Sequence, residues 1–315
     1  MSEMDYPKTC AGRVRFGLLL TGLFVSWLAP AHAQNQRRFN LVDHSDNICE
    51  GAFRAANIAA LQSLGLMGSA PVLTSAPANG ATYVAGGLVP GSWAQVKGMN
   101  LSDTTRPWVA ADFTGLGNAL PTLLSGVRVL VNGTPAAVYY ISPTQVNFQV
   151  PAGVSGTVAV VVARDGIASN VMTAQAVASS PGIFPVIVNG VNYAAAVFLD
   201  GKIAGDPSIG PGFRNAVPGD VVQLFATGLA ASPAGTTVTT TPLNGVSVTV
   251  GTVTILASFA GLVAPGEYQV NFTLPQSFSS MPEGVYPISI AIDGTSSPPT
   301  VNSSPPGPVL IPIHH

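Results

Sequence analysis

Gln145-Val146-Asn147-Phe148-Gln149-Val150-Pro151 is the stretch on which the fold turns, and it returns as Gln269-Val270-Asn271-Phe272-Thr273-Leu274-Pro275. In both copies apolar and polar residues alternate strictly. A period of two belongs to a half-buried β-strand. Val146, Phe148 and Val150, and in the second copy Val270, Phe272 and Leu274, are therefore expected to point into two equivalent cores. Gln145, Asn147 and Gln149, with Gln269, Asn271 and Thr273, form an outward polar row. A seven-residue echo within one chain marks a duplicated unit.

The flanks repeat as well. Val89-Pro90-Gly91 opens a strand in which Trp93, Gln95 and Lys97 alternate with Ala94 and Val96, and Val217-Pro218-Gly219 opens its counterpart, Val221 to Ala226. Val127, Val129 and Val131 run into Asn132-Gly133, a tight-turn pair, and Val246, Val248 and Val250 run into Gly251. Ala136 to Ile141 leads through Ser142-Pro143 into the opening strand, as Thr254 to Ala260 does through Ala264-Pro265-Gly266. The closing strands end at Asp165-Gly166 and Asp293-Gly294, both hairpin signals. The offset between copies is 128 at Val-Pro-Gly, 119 at the valine strand, 124 at Gln-Val-Asn-Phe and 128 at Asp-Gly. Loops have changed length while strands have held, as paired strands demand. Thr104 to Leu124 is a longer connection and carries Trp108 and Phe113. Ile183 to Val188 and Ala194 to Leu199, separated by Asn189-Gly190, are two further strand candidates that begin the second unit.

Composition agrees with many short strands. Of 315 residues only 8% are charged, while Gly (34) and Pro (27) are plentiful and work against long helices. Twelve Lys and Arg against fourteen Asp and Glu leave no basic footprint for nucleic acid. Residues 1–33 read as an export signal: Lys8, Arg13 and Arg15, the apolar run Phe16 to Ala29, then Ala31-His32-Ala33 before Gln34. The run is short for a membrane span, and no other stretch could cross a bilayer. Cleavage would leave twelve acids and nine bases, a net charge of −3. Cys10 would leave with the signal, so Cys49 becomes the one remaining cysteine and no intramolecular disulfide is expected. A dimer through Cys49 is the alternative to a bystander thiol. Asn47 to Leu66 reads as a short helix capped by Asp46 or Asn47, Ala70 to Gly80 as a linker, and Ser303 to His315 as a Pro-rich extended end.

These motifs carry a resemblance. Pro90-Gly91-Ser92, Gly98-Met99-Asn100, Val127 to Gly133, Ser142 to Phe148 and Pro151, followed by Pro181-Gly182-Ile183-Phe184, Asn215 to Asp220, Ala226-Thr227-Gly228, Ala260-Gly261 and Tyr268 to Pro275, resemble the Solibacter-type uncharacterised C-terminal domain. The resemblance covers residues 80–297 and implies an exported bacterial protein. Each half separately resembles the immunoglobulin-like IPT/TIG domain. The chain departs from the fuller pattern in a shortened loop, Leu262 to Glu267, and in having no recognisable catalytic or propeller module ahead of the domain.

Catalytic constellations are sparse. After signal cleavage the histidines are His44, His314 and His315, all outside the repeats, and no Gly-x-Ser-x-Gly lies between a strand and a helix. The acids are scattered, and Asp165, Asp200 and Asp293 each precede a Gly, where turns call for Asp. Asp43, His44 and Asp46 lack metal-ligand spacing, and no calcium loop is present, so neither metal nor other cofactor is expected. The polar row is more distinctive. Asn is disfavoured in strands, yet Asn147 and Asn271 hold the same place twice. They either bond a loop and latch a sandwich corner, or form a contact face with Gln145, Gln269, Tyr139, Tyr140 and Tyr268.

The sequence therefore predicts an all-β chain of two tandem immunoglobulin-like antiparallel β-sandwiches behind a signal peptide and a short helical segment. The expected boundaries are 1–33 for the signal, 34–79 for the N-terminal segment, 80–178 and 179–297 for the sandwiches, and 298–315 for the tail. The expected role is a secreted, non-enzymatic interaction module meeting a protein or glycan at the cell surface, with no nucleic-acid partner. The competing readings are an accessory or weak enzyme on polysaccharide, and a passive spacer.

Overall fold

The computed structural model describes residues 69–315 apart from Leu116 and Asn118. The expected signal, the helix Asn47 to Leu66, Cys10, Cys49 and the Asp43/His44/Asp46 group lie outside the described residues. From Ala70 to His315 the chain forms one compact unit that is almost entirely β, with three short 3₁₀ turns. Among the described residues no helix is long and apolar enough to cross a membrane.

Each repeat contributes corresponding strands in the same pairing, one strand of the first copy, Thr134–Ile141, being matched by two in the second. In the first copy these are β1 (Trp93–Met99), β2 (Val127–Val131), β3 (Thr134–Ile141), β4 (Gln145–Gln149) and β5 (Thr157–Arg164). In the second they are β6 (Val221–Thr227), β7 (Val246–Val250), β8 (Val253–Leu256), β9 (Phe259–Ala264), β10 (Glu267–Thr273) and β11 (Gly284–Ile292). The Gln-Val-Asn-Phe strand lies between the opening strand and the hairpin strand in both, as β1-β4-β3 and β6-β10-β9. All these pairs are antiparallel. Gln95 faces Asn147, and Gln223 faces Asn271, at equal register.

The two Val-Pro-Gly turns are superimposable in their bonding. Ser92 N–H returns to Val89 O and Asp220 N–H to Val217 O, each at 3.0 Å. Gly91 and Gly219 then donate to Val150 O and Leu274 O, each at 2.8 Å, tying each turn to the end of its polar-row strand. Asn132-Gly133, Asp165-Gly166, Asn189-Gly190 and Asp293-Gly294 all have positive φ at both residues, the hairpin turn that Asn-Gly and Asp-Gly favour.

The two cores are separate clusters. Val146, Phe148 and Val150 are buried in the first, with the valines of β2 and β5. Val270, Phe272 and Leu274 are buried in the second, with Ile290, Ile311 and Phe278. The alternating pattern thus reads the inner face correctly in both copies.

The copies differ in continuity. In the first, β3 pairs with β2 by its beginning and with β4 by its end, so one sheet of eleven strands runs around the sandwich. In the second, the chain breaks at Ala257-Ser258, and sheets of eight and seven strands face each other. Val138-Tyr139, strand-favouring residues, occupy the unbroken position in the first copy.

The sandwiches extend beyond the limits read from sequence. The segment expected as linker holds Val72–Leu73, paired with Met99 and Gly98, and Ala78–Asn79, paired with Gln95 and Ala94. The segment expected as tail holds β12 (Leu310–Ile313), inserted between β11 and Val191–Ala194. Ile311 and Ile313 are buried in the second core, and so is Val301. Composition pointed elsewhere because Ser, Pro and Ala dominate the first segment and Pro and Ser the second; the few large apolar residues, Leu73 and Val309 to Ile313, decide their fate by burial.

Candidate functional site

The polar row is built alike in both copies. Gln145 Nε2 donates to Asn147 Oδ1 at 2.7 Å, and Gln269 Nε2 donates to Asn271 Oδ1 at 2.8 Å. These side chains share the outer face of their strands, and all four are half-buried. Each Asn is therefore held by the Gln two residues earlier rather than by a loop. The corner latch is the third member of the first row. Gln149 is wholly buried, donates through Nε2 to Gly91 O at 2.9 Å, and accepts Gly235 N–H on Oε1 at 2.9 Å. Its counterpart Thr273 is exposed.

Gly235 belongs to the second copy, so Gln149 bonds the two sandwiches together. Trp93 adds two further links, from its backbone N–H to Thr227 Oγ1 at 3.1 Å and from its indole Nε1–H to Pro265 O at 2.7 Å. Buried Thr227 in turn donates its own hydroxyl to Gly266 O at 2.6 Å. Buried Asn79 donates to Ser180 O at 2.8 Å. Backbone bonds run from Ser232 to Pro90, Leu120 to Gly235 and Asn302 to Thr82. A Cβ on Gly266 would stand 2.7 Å from Gly91 O, so only glycine allows this approach. The change of offset from 119 to 124 is thereby explained: the added residues lengthen the β9–β10 hairpin until its tip, Pro265-Gly266, reaches Trp93.

The long loop of the first copy folds back over the outer face. Trp108 packs edge-on against Trp93, Phe113 and Tyr139 at centroid distances of 5.8, 5.2 and 5.1 Å. Phe113 and Tyr139 remain 42% and 41% exposed. The loop is held by Arg106, whose guanidinium donates both Nη groups to Asp112 at 2.8 Å while Val109 N–H donates to Asp112 Oδ2 at 2.7 Å. The Arg106 fork and that backbone N–H hold the Asp112 carboxyl down at about 2. Arg214, Val217 and Asp220 repeat the device at identical spacing, with Nη contacts of 2.7 and 3.1 Å and a Val217 N–H bond of 2.7 Å. The pattern Arg-x-x-Val-x-x-Asp is the signal in sequence that the reading of charges one by one passed over.

Of the tyrosines expected beside the amide row, Tyr139 is in the ring cluster and Tyr140 sits opposite Asn147. Tyr268 is not on that face. It is 3% exposed, packs in the second core, and donates its hydroxyl to Ala230 O at 2.8 Å. The strand alternation explains this: Tyr268 shares parity with Val270 and Phe272.

On the outer face of the second copy, Gln269 lies opposite Phe225 on β6 and Gly261 on β9, and Asn271 lies opposite Gln223 and Phe259. A Cβ on Gly261 would meet Phe259 Cζ at 2.8 Å, so the ring lies across the glycine. At the rim a cleft of about 260 Å³ opens between Pro242–Val246 and Ala257–Ala260. A second, of about 150 Å³, lies by Asp206, Asn215 and His314, where His314 Nδ1 is 3.0 Å from Glu283 Oε2. Among the described residues no three or more His, Cys, Asp or Glu side chains gather as a metal site.

The IPT/TIG domain family matches residues 108–180. No curated protein matches the chain. Among solved structures, it is similar to a Bacteroides ovatus mixed-linkage glucan utilization locus protein, SGBP-B, in complex with a mixed-linkage heptasaccharide, at 14% identity and a TM-score of 0.31 over 72% of this chain and 42% of that one. SGBP-B from a xyloglucan utilization locus of Bacteroides uniformis has 14% identity and a TM-score of 0.24 over 78% and 50%. The Escherichia coli adhesin FdeC has 12% identity and a TM-score of 0.22 over 78% and 66%. The chain thus spans about half the length of the first two. The class defined by the chain's own sheets is a tandem immunoglobulin-like β-sandwich protein.

Proposed function

We propose that the chain is an exported, non-enzymatic interaction module of the cell surface or extracellular space, meeting a surface protein or glycan through the outer face of β6, β10 and β9. The observation that carries this reading is the Gln269–Asn271 amide pair set half-open between the rings of Phe225 and Phe259. Aromatic rings and amides on a firm sheet offer contact area at low entropic cost. In the first copy the equivalent face is spent on the junction, through Trp93 and Gln149. Export is supported by the leader pattern of residues 1–33 and by the resemblance of residues 80–297 to the Solibacter-type domain.

The test is retention of the labelled mature chain on intact cells of the producing species. Phe225→Ala with Gln269→Ala and Asn271→Ala should abolish retention while leaving the fold intact by circular dichroism. Retention unchanged in a folded triple variant would reject the face. A rigid spacer is the second reading, favoured by the interlock of Gln149, Trp93 and Thr227 between the sandwiches. No retention of the unmodified chain would favour it.

A further inference from the structure

The cleft beside Phe259 is the place where the two copies depart most usefully. Tyr140 lies opposite Asn147 and Phe259 lies opposite Asn271, so Tyr139 and Ser258, each one residue earlier, hold the same position. In the first copy that position is filled by rings. A short strand, Arg106–Pro107, pairs with β3, and Trp108 follows, donating its backbone N–H to Tyr139 O at 2.8 Å and packing its indole on the Tyr139 ring. In the second copy a short strand, Thr241–Pro242, pairs with β9 two residues nearer the hairpin tip, opposite Leu262 and Gly261 rather than the Ala260 and Phe259 that match Ile141 and Tyr140, and Leu243, Asn244 and Gly245 carry this wall on towards Ser258. No aromatic ring stands at the Ser258 position or comes from the facing wall Pro242–Val246.

The two walls are joined at each end by a backbone bond, Leu243 N–H to Ala260 O at 2.8 Å and Ala257 N–H to Val246 O at 3.0 Å. Between these bonds they part and leave the cleft of about 260 Å³. Its lining has no charged side chain. Asn244 supplies an amide that donates and accepts, Ser258 supplies a hydroxyl oxygen that accepts while its proton is donated to Asn271 O at 3.1 Å, and Phe259 supplies an aromatic edge continuous with the Gln269–Asn271 pair. A charged ligand would find no counter-ion here. A flat, neutral ring carrying hydroxyls would satisfy both kinds of wall, its C–H face against the aromatic ring and its hydroxyls on the amides.

We propose that this cleft seats one sugar ring of a neutral oligosaccharide, in the space that Trp108 and Tyr139 occupy in the first copy, with the neighbouring sugar lying over the amide pair. The proposal rests on the interaction reading above and names its ligand class and anchoring point.

The test uses the isotope-labelled mature chain, titrated with cellohexaose, maltohexaose and xylohexaose, and with hexagalacturonate and a heparin hexasaccharide as charged probes. At least one neutral hexasaccharide should give saturable amide shifts at Asn244, Gly245, Ser258 and Phe259, and the charged probes none. Ser258→Tyr installs the ring found in the first copy at an exposed position, and should weaken binding by at least about tenfold with a native spectrum. Asn244→Ala, on the facing wall, serves as the second variant and should also weaken it. The proposal is overturned if no neutral probe shifts these amides at millimolar concentration, if a charged probe binds there, or if the folded variants bind as before. Cell retention lost in the triple face variant, together with silence in the sugar titration, would leave the interaction reading standing and sink this one.

Discussion

The indole N–H of Trp93 in the first sandwich meets the carbonyl of Pro265 in the second at 2.7 Å. One side chain therefore belongs at once to the outer face of β1 and to the hairpin tip of the other copy. Trp93→Phe keeps a ring but leaves Pro265 O without its donor. Stability should fall by about 1–2 kcal/mol, and calorimetry should show the single transition broaden or split as the sandwiches uncouple. A single, unshifted transition would mean that the link contributes nothing to coupling.

Gln149 and Thr273 are equivalent in sequence and opposite in consequence. Gln149→Ala strands Gly91 O and Gly235 N–H in the buried junction, and should cost roughly 2–4 kcal/mol in urea denaturation. Exposed Thr273→Ala should stay within about 0.5 kcal/mol.

Phe148 and Phe272 are both wholly buried at the centre of their cores. Each Phe→Ala exchange should cost about 3–5 kcal/mol. A loss below about 1 kcal/mol at either site would contradict its inward placement.

Deletion of residues 298–315 removes β12 from the middle of its sheet, together with buried Ile311 and Ile313. Val191–Ala194 and β11 would lose their shared neighbour. The deleted chain should expose hydrophobic surface to a dye such as ANS and lose the second sandwich's cooperative melting. Native-like melting would show β12 to be dispensable.

Two carboxyls act on stability in opposite directions with pH. Asp112 is depressed from 3.8 to about 2 by Arg106, so its contribution is full above 3.8 and is lost as pH falls towards about 2. Asp112→Asn should remove that part of the acid limb. Glu267 is pushed above its ordinary 4.5 by burial. The folded state then holds a proton that the unfolded chain has released, so stability falls as pH rises from 4.5 through the raised value. Glu267→Gln should stabilise the protein at neutral pH and flatten this segment in thermal melts. Unchanged pH profiles in both variants would contradict these assignments.

Much of this was legible in the residues alone, because it depends on local rules. Strict alternation assigns Phe148 and Phe272 to cores without knowledge of any partner strand. Asn-Gly and Asp-Gly dictate tight hairpins because both residues tolerate positive φ. The repeated motif, read with its changing offsets, places insertions in loops. The same alternation contained the correction for Tyr268, whose parity with Val270 puts it inside.

Other features depend on what stands across a gap, and alternation is blind to that. Gln149 and Thr273 carry the same local pattern, and only the docking of Gly235 makes one a buried latch. Leu73 and β12 lie in segments whose Ser and Pro content reads as linker or tail, and they become core because neighbouring strands offer buried apolar surface. Gln145-Val146-Asn147-Phe148 and its echo Gln269-Val270-Asn271-Phe272 by themselves determined a half-buried β-strand in a duplicated unit, since a two-residue period needs no long-range information. Tertiary structure alone decided that Gln149 of the first polar row would be buried against Gly235 of the second copy, while Gln269 and Asn271 of the second row stayed half-buried beside Phe259 and its cleft.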